Sequence, residues 1–143
     1  MCIRDRYSVN LLINHEIVND EINGHPIMAA YCILADLGAI YTREYCDETL
    51  TFALSGYTYS DPEVWGGINA FVLWDRDTES LWWPLIDKAV SGHMKDEPLK
   101  KFTGHWKDTD WKTIKRDYPN AVVLKRGQTM GVPQDWPRIT PCK

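Results

Sequence analysis

The first residues with chemical potential are His15 and Glu16. A His-Glu pair opens the zinc-protease motif, which needs a second His four residues on so that both imidazoles share one helical face. Asn19 occupies that position, so the motif is absent. If the segment is instead a strand, His15 and Glu16 point to opposite faces and only one of them faces a given pocket. The plainer reading is a His bonded to backbone and a Glu16 or Asp20 paired with an Arg. Cys32 lies in an apolar stretch, where a thiol is most often inert core. Its chemical alternative is a soft metal ligand with His15 as nitrogen partner, a one-thiolate site suited to copper or zinc. His93 and His105 add to such a site if the fold brings them close. Ser55 lacks the Gly two residues earlier that a nucleophile elbow needs, since Ala53 stands there, so a turn-forming Ser is expected.

A second constellation is the polar run Asp75, Arg76, Thr78, Glu79 and Ser80. Short oxygen-bearing side chains such as Asp75 and Thr78 can bond the backbone of a turn, and Arg76 can clamp a carboxylate. The plain reading is a fixed hairpin with an internal ion pair. The functional reading places an Arg76/Glu79 pair at a pocket mouth, supported by Asp75, with Trp82 or Trp83 as its floor. Adjacent residues on a strand face opposite ways, so one of the two Trp is expected in the core and the other exposed. An exposed Trp, with Trp65, Trp74 and Trp83 as candidates, can stack on a sugar or another flat ligand.

The elements that would carry these residues are mostly strands. Residues 9–18 read as a helical turn followed by a strand. Asn23-Gly24 offers a two-residue hairpin turn whose central positions need positive φ. Residues 27–34 are apolar on both faces, which fits a strand buried on both sides or, as the alternative, a short helix, and residues 39–42 and 49–54 read as strands joined by a polar turn at Cys46-Asp47. Ser55-Gly56 is expected to end that unit. Residues 61–69 read as a loop, and residues 70–74 and 79–83 as a hairpin. One helix is expected near residues 110–117, capped by Asp108 or Thr109, with Asp110 at the positive end of the dipole, Trp111 and Ile114 inward, and Pro119 as its stop. Residues 121–124 form a last strand. The fold class is therefore mainly β (α+β), an antiparallel β-sandwich or barrel-like sheet with one C-terminal helix.

Length and charge narrow the function classes. A chain of 143 residues suits one domain. The net charge is −4, and no Lys/Arg-rich stretch interleaves with aromatics, which argues against DNA or RNA as partner. No apolar run approaches the roughly 20 residues of a membrane-spanning helix. Residues 1–6, Met-Cys-Ile-Arg-Asp-Arg, read as translated adapter sequence of a metagenomic assembly, so native protein is expected from Tyr7. The domain is then expected over residues 7–126, followed by an irregular Pro-rich tail over residues 127–143. With Cys2 set aside, Cys32, Cys46 and Cys142 remain, an odd number that fixes no redox compartment.

In this order along the chain, the segments at residues 14–20, Tyr31-Cys32, residues 51–56 and residues 75–82 resemble the family called domain of unknown function 3179. Asp-Arg-x-Thr-x-Ser-x-Trp at residues 75–82 is the most specific piece. Trp111 and residues 118–124 resemble the family's closing segment. The resemblance implies an exported, extracytoplasmic protein and no assigned activity. Members usually read Tyr-Cys-Pro-Leu-Cys-Gly where this chain has Tyr31-Cys32-Ile33-Leu34-Ala35-Asp36. The second Cys is Ala35, so a paired-thiol clamp is not expected, unless Cys46 replaces it in space. The loop at residues 61–69 is longer than in common members and can form a wall or lid. Three functions compete on these residues. One is extracytoplasmic metal binding through His15 and Cys32. The second is an enzyme using His15, Glu16, Arg76 and Glu79. The third is a module that binds a small molecule or carbohydrate on Trp.

Overall fold

The architecture follows from where the chain can turn. In the computed structural model, which describes residues 5–125, 127 and 135–142, β1 (Asp5–Arg6) leads into α1 (Val9–His15), which buries Leu11 and Leu12. Then β2 (Ile17–Ile22) and β3 (His25–Cys32) form a hairpin. Asn23 (φ 51°) and Gly24 (φ 80°) supply the positive φ values that a two-residue turn needs. β4 (Leu37–Thr42) completes a three-stranded antiparallel sheet in the order β2-β3-β4. The short hairpin of β5 (Glu44–Tyr45) and β6 (Glu48–Thr49) turns at Cys46 and Asp47, both at positive φ.

The second sheet is antiparallel and four-stranded. It comprises β7 (Phe52–Tyr59), β8 (Ala70–Asp75), β9 (Leu81–Trp83) and β10 (Lys88–Ser91), in the order β10-β9-β8-β7. α2 (Trp111–Asp117) and β11 (Val122–Val123) follow, and β11 pairs in parallel with β1. Asp5 and Arg6, expected to precede the fold, are thus paired with Val122 and Val123. Residues 1–4 of the expected leader, with Cys2, and Pro133 of the tail lie outside the described residues.

One core joins the sheets. Met28, Ala30 and Cys32 of β3 and Tyr41 of β4 pack in the same cluster as Phe52, Leu73, Trp82 and Trp83 of the second sheet. The mostly β, sandwich-like expectation holds, and no sheet among the described residues closes into a barrel. Polar side chains stitch the two sheets together. Asn19 on β2 donates to the Phe52 carbonyl at 2.8 Å and accepts from the Phe52 amide at 2.9 Å, occupying both backbone groups of the first β7 residue. Arg43 donates to the carbonyls of Ile27 (2.9 Å), Leu50 (2.9 Å) and Asp20 (3.1 Å). A guanidinium can do this because its donors fork in a plane.

Two local expectations change. β7 does not stop at Ser55-Gly56. The register shifts there instead, with Gly56 at φ 82°. The Ser55 hydroxyl donates to the Val72 carbonyl at 2.6 Å and accepts from the Tyr57 amide at 3.0 Å, replacing ladder bonds that the bulge removes. α2 is capped by Asp110, whose carboxylate accepts from the Thr113 amide at 2.8 Å. Trp111 does not point inward. It is exposed, because this two-turn helix lies on the surface and buries none of its residues.

Candidate functional site

Three places concentrate the residues singled out above: the corner after α1, the turn after β8, and the chain segment that crosses that turn.

The corner is made by Glu16. α1 ends there in a left-handed conformation (φ 58°, ψ −27°), with the Glu16 amide donating to the Leu12 carbonyl, and β2 begins at the next residue. A non-glycine residue in this region carries backbone strain that the surroundings must hold in place. Part of the holding comes from the Tyr31 amide, which donates to the Glu16 carbonyl at 2.9 Å. Glu16 then borders a groove of about 110 Å³ that it lines together with Leu34, Leu54, Gly56, Tyr57, Thr58, Phe71 and Val72. Burial raises the Glu16 pKa above its ordinary value, because a low-dielectric wall disfavours the carboxylate. Among the described residues no cation is paired with Glu16.

Cys32 stands at the end of β3, fully buried, with its sulfur accepting from the Phe71 amide at 3.4 Å. It joins the tips of the two sheets behind the groove. His15 is exposed on the last turn of α1. Among the described residues no three His, Cys, Asp or Glu side chains converge as a metal site. His93 bonds the Pro141 carbonyl at 3.0 Å, and His105 is exposed.

The turn after β8 is a buried polar network. Asp75 has no exposed surface, and neither has Ser80. One Asp75 oxygen accepts from the Thr78 amide at 2.6 Å. The other accepts from the Thr78 hydroxyl at 2.7 Å and the Trp82 indole at 2.8 Å. Because the Thr78 proton is committed to Asp75, the Ser80 hydroxyl donates to Thr78 across 2.7 Å and in turn accepts from the Met94 amide at 2.9 Å. Four of the five fixed letters of Asp-Arg-x-Thr-x-Ser-x-Trp, namely Asp75, Thr78, Ser80 and Trp82, form this internal network, and Arg76, the fifth, lies over the Trp74 ring instead.

The candidate residues fall into two groups. Glu16 meets β8 at Phe71 and Val72, near its start, whereas Arg76 and Glu79 follow its far end. Arg76 lies four residue steps beyond Val72, about 13 Å along extended chain. The groove lining includes neither Arg76 nor Glu79. These two do not pair with each other either: Arg76 lies over the Trp74 ring at 5.1 Å, and Glu79 pairs with Arg138.

The expectation that either Trp82 or Trp83 is exposed is corrected. Trp82 is 0% and Trp83 3% exposed. Packing covers both faces of β9, since Trp82 and Trp83, which leave the strand in opposite directions, both belong to the core cluster. Trp82 packs with Tyr45 and Phe52, and Trp83 meets the edge of Tyr59. The exposed member of the Trp set is Trp65, held at φ 48° in the loop at residues 61–69.

The third element was not foreseen. Cys46 and Cys142 form a disulfide, and residues 135–142 cross the turn after β8. The Trp136 indole donates to Asp77 at 2.9 Å, the Ile139 amide to the Asp77 carbonyl at 2.9 Å, and Arg138 to the Arg76 carbonyl at 2.7 Å. The positive-φ turn at Cys46 was legible, but nothing in the spacing tied it to a Cys 96 residues away.

Neither a curated protein nor a solved structure matches the chain. A family model described as a protein of unknown function (DUF3179) matches residues 5–133, nearly the whole length, and the chain belongs to that family.

Proposed function

We propose that this chain is an extracytoplasmic binding protein for a small organic cation, taken up by the groove beside Glu16. The observation that carries the reading is that Glu16, which has no ion-pair partner among the described residues, lines a groove whose other residues are mostly apolar or aromatic, with Thr58 as the polar exception. A methylated ammonium head is the chemistry that such a wall suits. Its charge answers Glu16, its methyl groups fill space between Leu34 and Leu54, and the faces of Tyr57 and Phe71 attract cations. The backbone conformation at Glu16 supports the same reading, because a corner held this way sets the direction in which the side chain leaves the chain. The disulfide between Cys46 and Cys142 supports an oxidising location outside the cytoplasm.

The test is a titration followed by amide NMR shifts, with tetramethylammonium as the probe and tert-butanol as its uncharged counterpart. Shifts confined to Glu16, Tyr57, Thr58 and Phe71 for the cation, and weaker ones for the alcohol, are expected. A response at other residues only, or equal responses to both probes, refutes the reading.

A further inference from the structure

We propose that residues 135–142 form a redox-latched strap: the Cys46–Cys142 disulfide keeps this segment on the turn after β8, and reduction lifts it. The proposal is independent of the groove at Glu16.

The contacts are complementary in kind. The turn offers acceptors: the Arg76 and Asp77 carbonyls and the Asp77 and Glu79 carboxylates. The strap offers the donors that meet them: the Trp136 indole, the Arg138 guanidinium and the Ile139 amide. At the far end the Pro141 carbonyl meets the His93 ring, and the next residue is Cys142.

Release is expected to be local. None of the hydrogen bonds that join Asp75, Thr78, Ser80, Trp82 and Met94 includes a strap residue. The buried core cluster runs from Met28 to Leu99, with Ile139 only partly buried against it. The strap buries Pro141 and half-buries Trp136 and Ile139 but adds no strand to either sheet, so it can open without the rest of the domain. The family match covers residues 5–133 and ends before the strap.

The latch is reachable. Cys46 and Cys142 are both exposed, so a thiolate can approach either sulfur. The reductant is a dithiol. One of its thiolates attacks Cys46 or Cys142 to form a mixed disulfide, expelling the other cysteine as thiolate. Its second thiol then closes on the first, releasing the remaining cysteine. The S–S bond of the protein is replaced by one in the reagent, two electrons pass to the protein, and both cysteines end as thiols after taking up protons.

The experiment is amide hydrogen exchange on the full chain, oxidised and then reduced with dithiothreitol, with alkylation and mass measurement to count free thiols. While the domain stays folded, the disulfide closes only the stretch of roughly 20 residues between β11 and Cys142, worth on the order of 10² in an opening equilibrium. The Ile139 amide should therefore exchange about 100-fold faster after reduction. Losing the cross-link also speeds exchange through global unfolding, so the check on the core is that the Leu73 amide in β8 keeps its chemical shift. A double variant, Cys46→Ser with Cys142→Ser, should behave as the reduced chain does without any reagent. Three results overturn the proposal: both cysteines alkylating before reduction, Ile139 unchanged once both thiols are free, or Leu73 losing its native chemical shift together with Ile139.

Discussion

The indole nitrogen of Trp82 donates to a carboxylate oxygen of Asp75 at 2.8 Å, in a place where neither residue has exposed surface. Two Thr78 donors converge on the same carboxylate. The signature run is therefore a structural device that replaces water around a buried polar group.

Removing that acceptor should be severe. Asp75→Ala leaves Trp82 Nε1 and both Thr78 donors buried without their partner, and each such loss costs about 1–3 kcal/mol. We expect a loss of at least about 3 kcal/mol in urea unfolding. Asp75→Asn, which keeps the shape and one oxygen, should lose less. A midpoint for Asp75→Ala within error of the parent would show that the network contributes nothing.

Gly92 should not tolerate a side chain. Its φ is +89°, and a Cβ there would stand 2.6 Å from the Ser80 Cα and 2.7 Å from its hydroxyl oxygen. Gly92→Ala must therefore displace the backbone that carries the Ser80 link in the network. A destabilisation of about 2–4 kcal/mol is expected, by the same urea measurement. As a control, Gly24→Ala meets no atom within 4 Å and carries only the conformational cost of φ +80°.

Binding at Glu16 should depend on pH in a definite sense. Proton and organic cation compete for one carboxylate, and burial has raised its pKa above 4.5. Affinity for tetramethylammonium should be constant above the raised pKa and fall as pH drops through it. In Glu16→Gln the affinity should be about tenfold weaker and lose this pH dependence. Because the folded pKa is raised, the folded state gains relative stability at low pH, so Glu16→Gln should not destabilise the free protein at pH 7.

Alkaline pH should unfold the domain through its tyrosines. Burial raises the pKa of Tyr45 to about 12, and that of Tyr41 is raised by burial and the nearby Asp87 carboxylate. A raised phenol pKa means stability present below the unfolded value near 10 and lost as pH climbs toward the folded one. The slope should be about 1.4 kcal/mol per pH unit for each phenol. Tyr45→Phe should remove one such unit of slope, read by circular dichroism between about pH 10 and 12.

Local signals made much of the fold legible. The Asn23-Gly24 turn, the β8–β9 hairpin and the α2 region announce themselves through turn chemistry, alternation and capping residues that act within a few positions. β7 was misjudged because Ser55-Gly56 reads as a stop, whereas a hydroxyl reaching across to Val72 lets the strand continue past a bulge. Pairings set by distant parts of the chain were not legible. Arg43 reaching three carbonyls, Asn19 framing Phe52 and Cys142 meeting Cys46 depend on how the sheets pack. At the site, Glu16 was identifiable as a candidate, but its hydrophobic surroundings were not. They come from Leu34, Tyr57 and Phe71, which belong to separate strands and turns.

The Cys46–Cys142 bond also determines how the molecule answers force. It closes residues 46–142 into a covalent ring that encloses the four-stranded sheet and α2, and it leaves the three-stranded sheet outside. Tension applied at the two ends of the oxidised chain passes through the sulfur atoms and bypasses everything within the ring. The stretch before Cys46 can extend to about 160 Å, against about 510 Å for the whole reduced chain. Under load the oxidised protein therefore yields its first sheet and keeps its second.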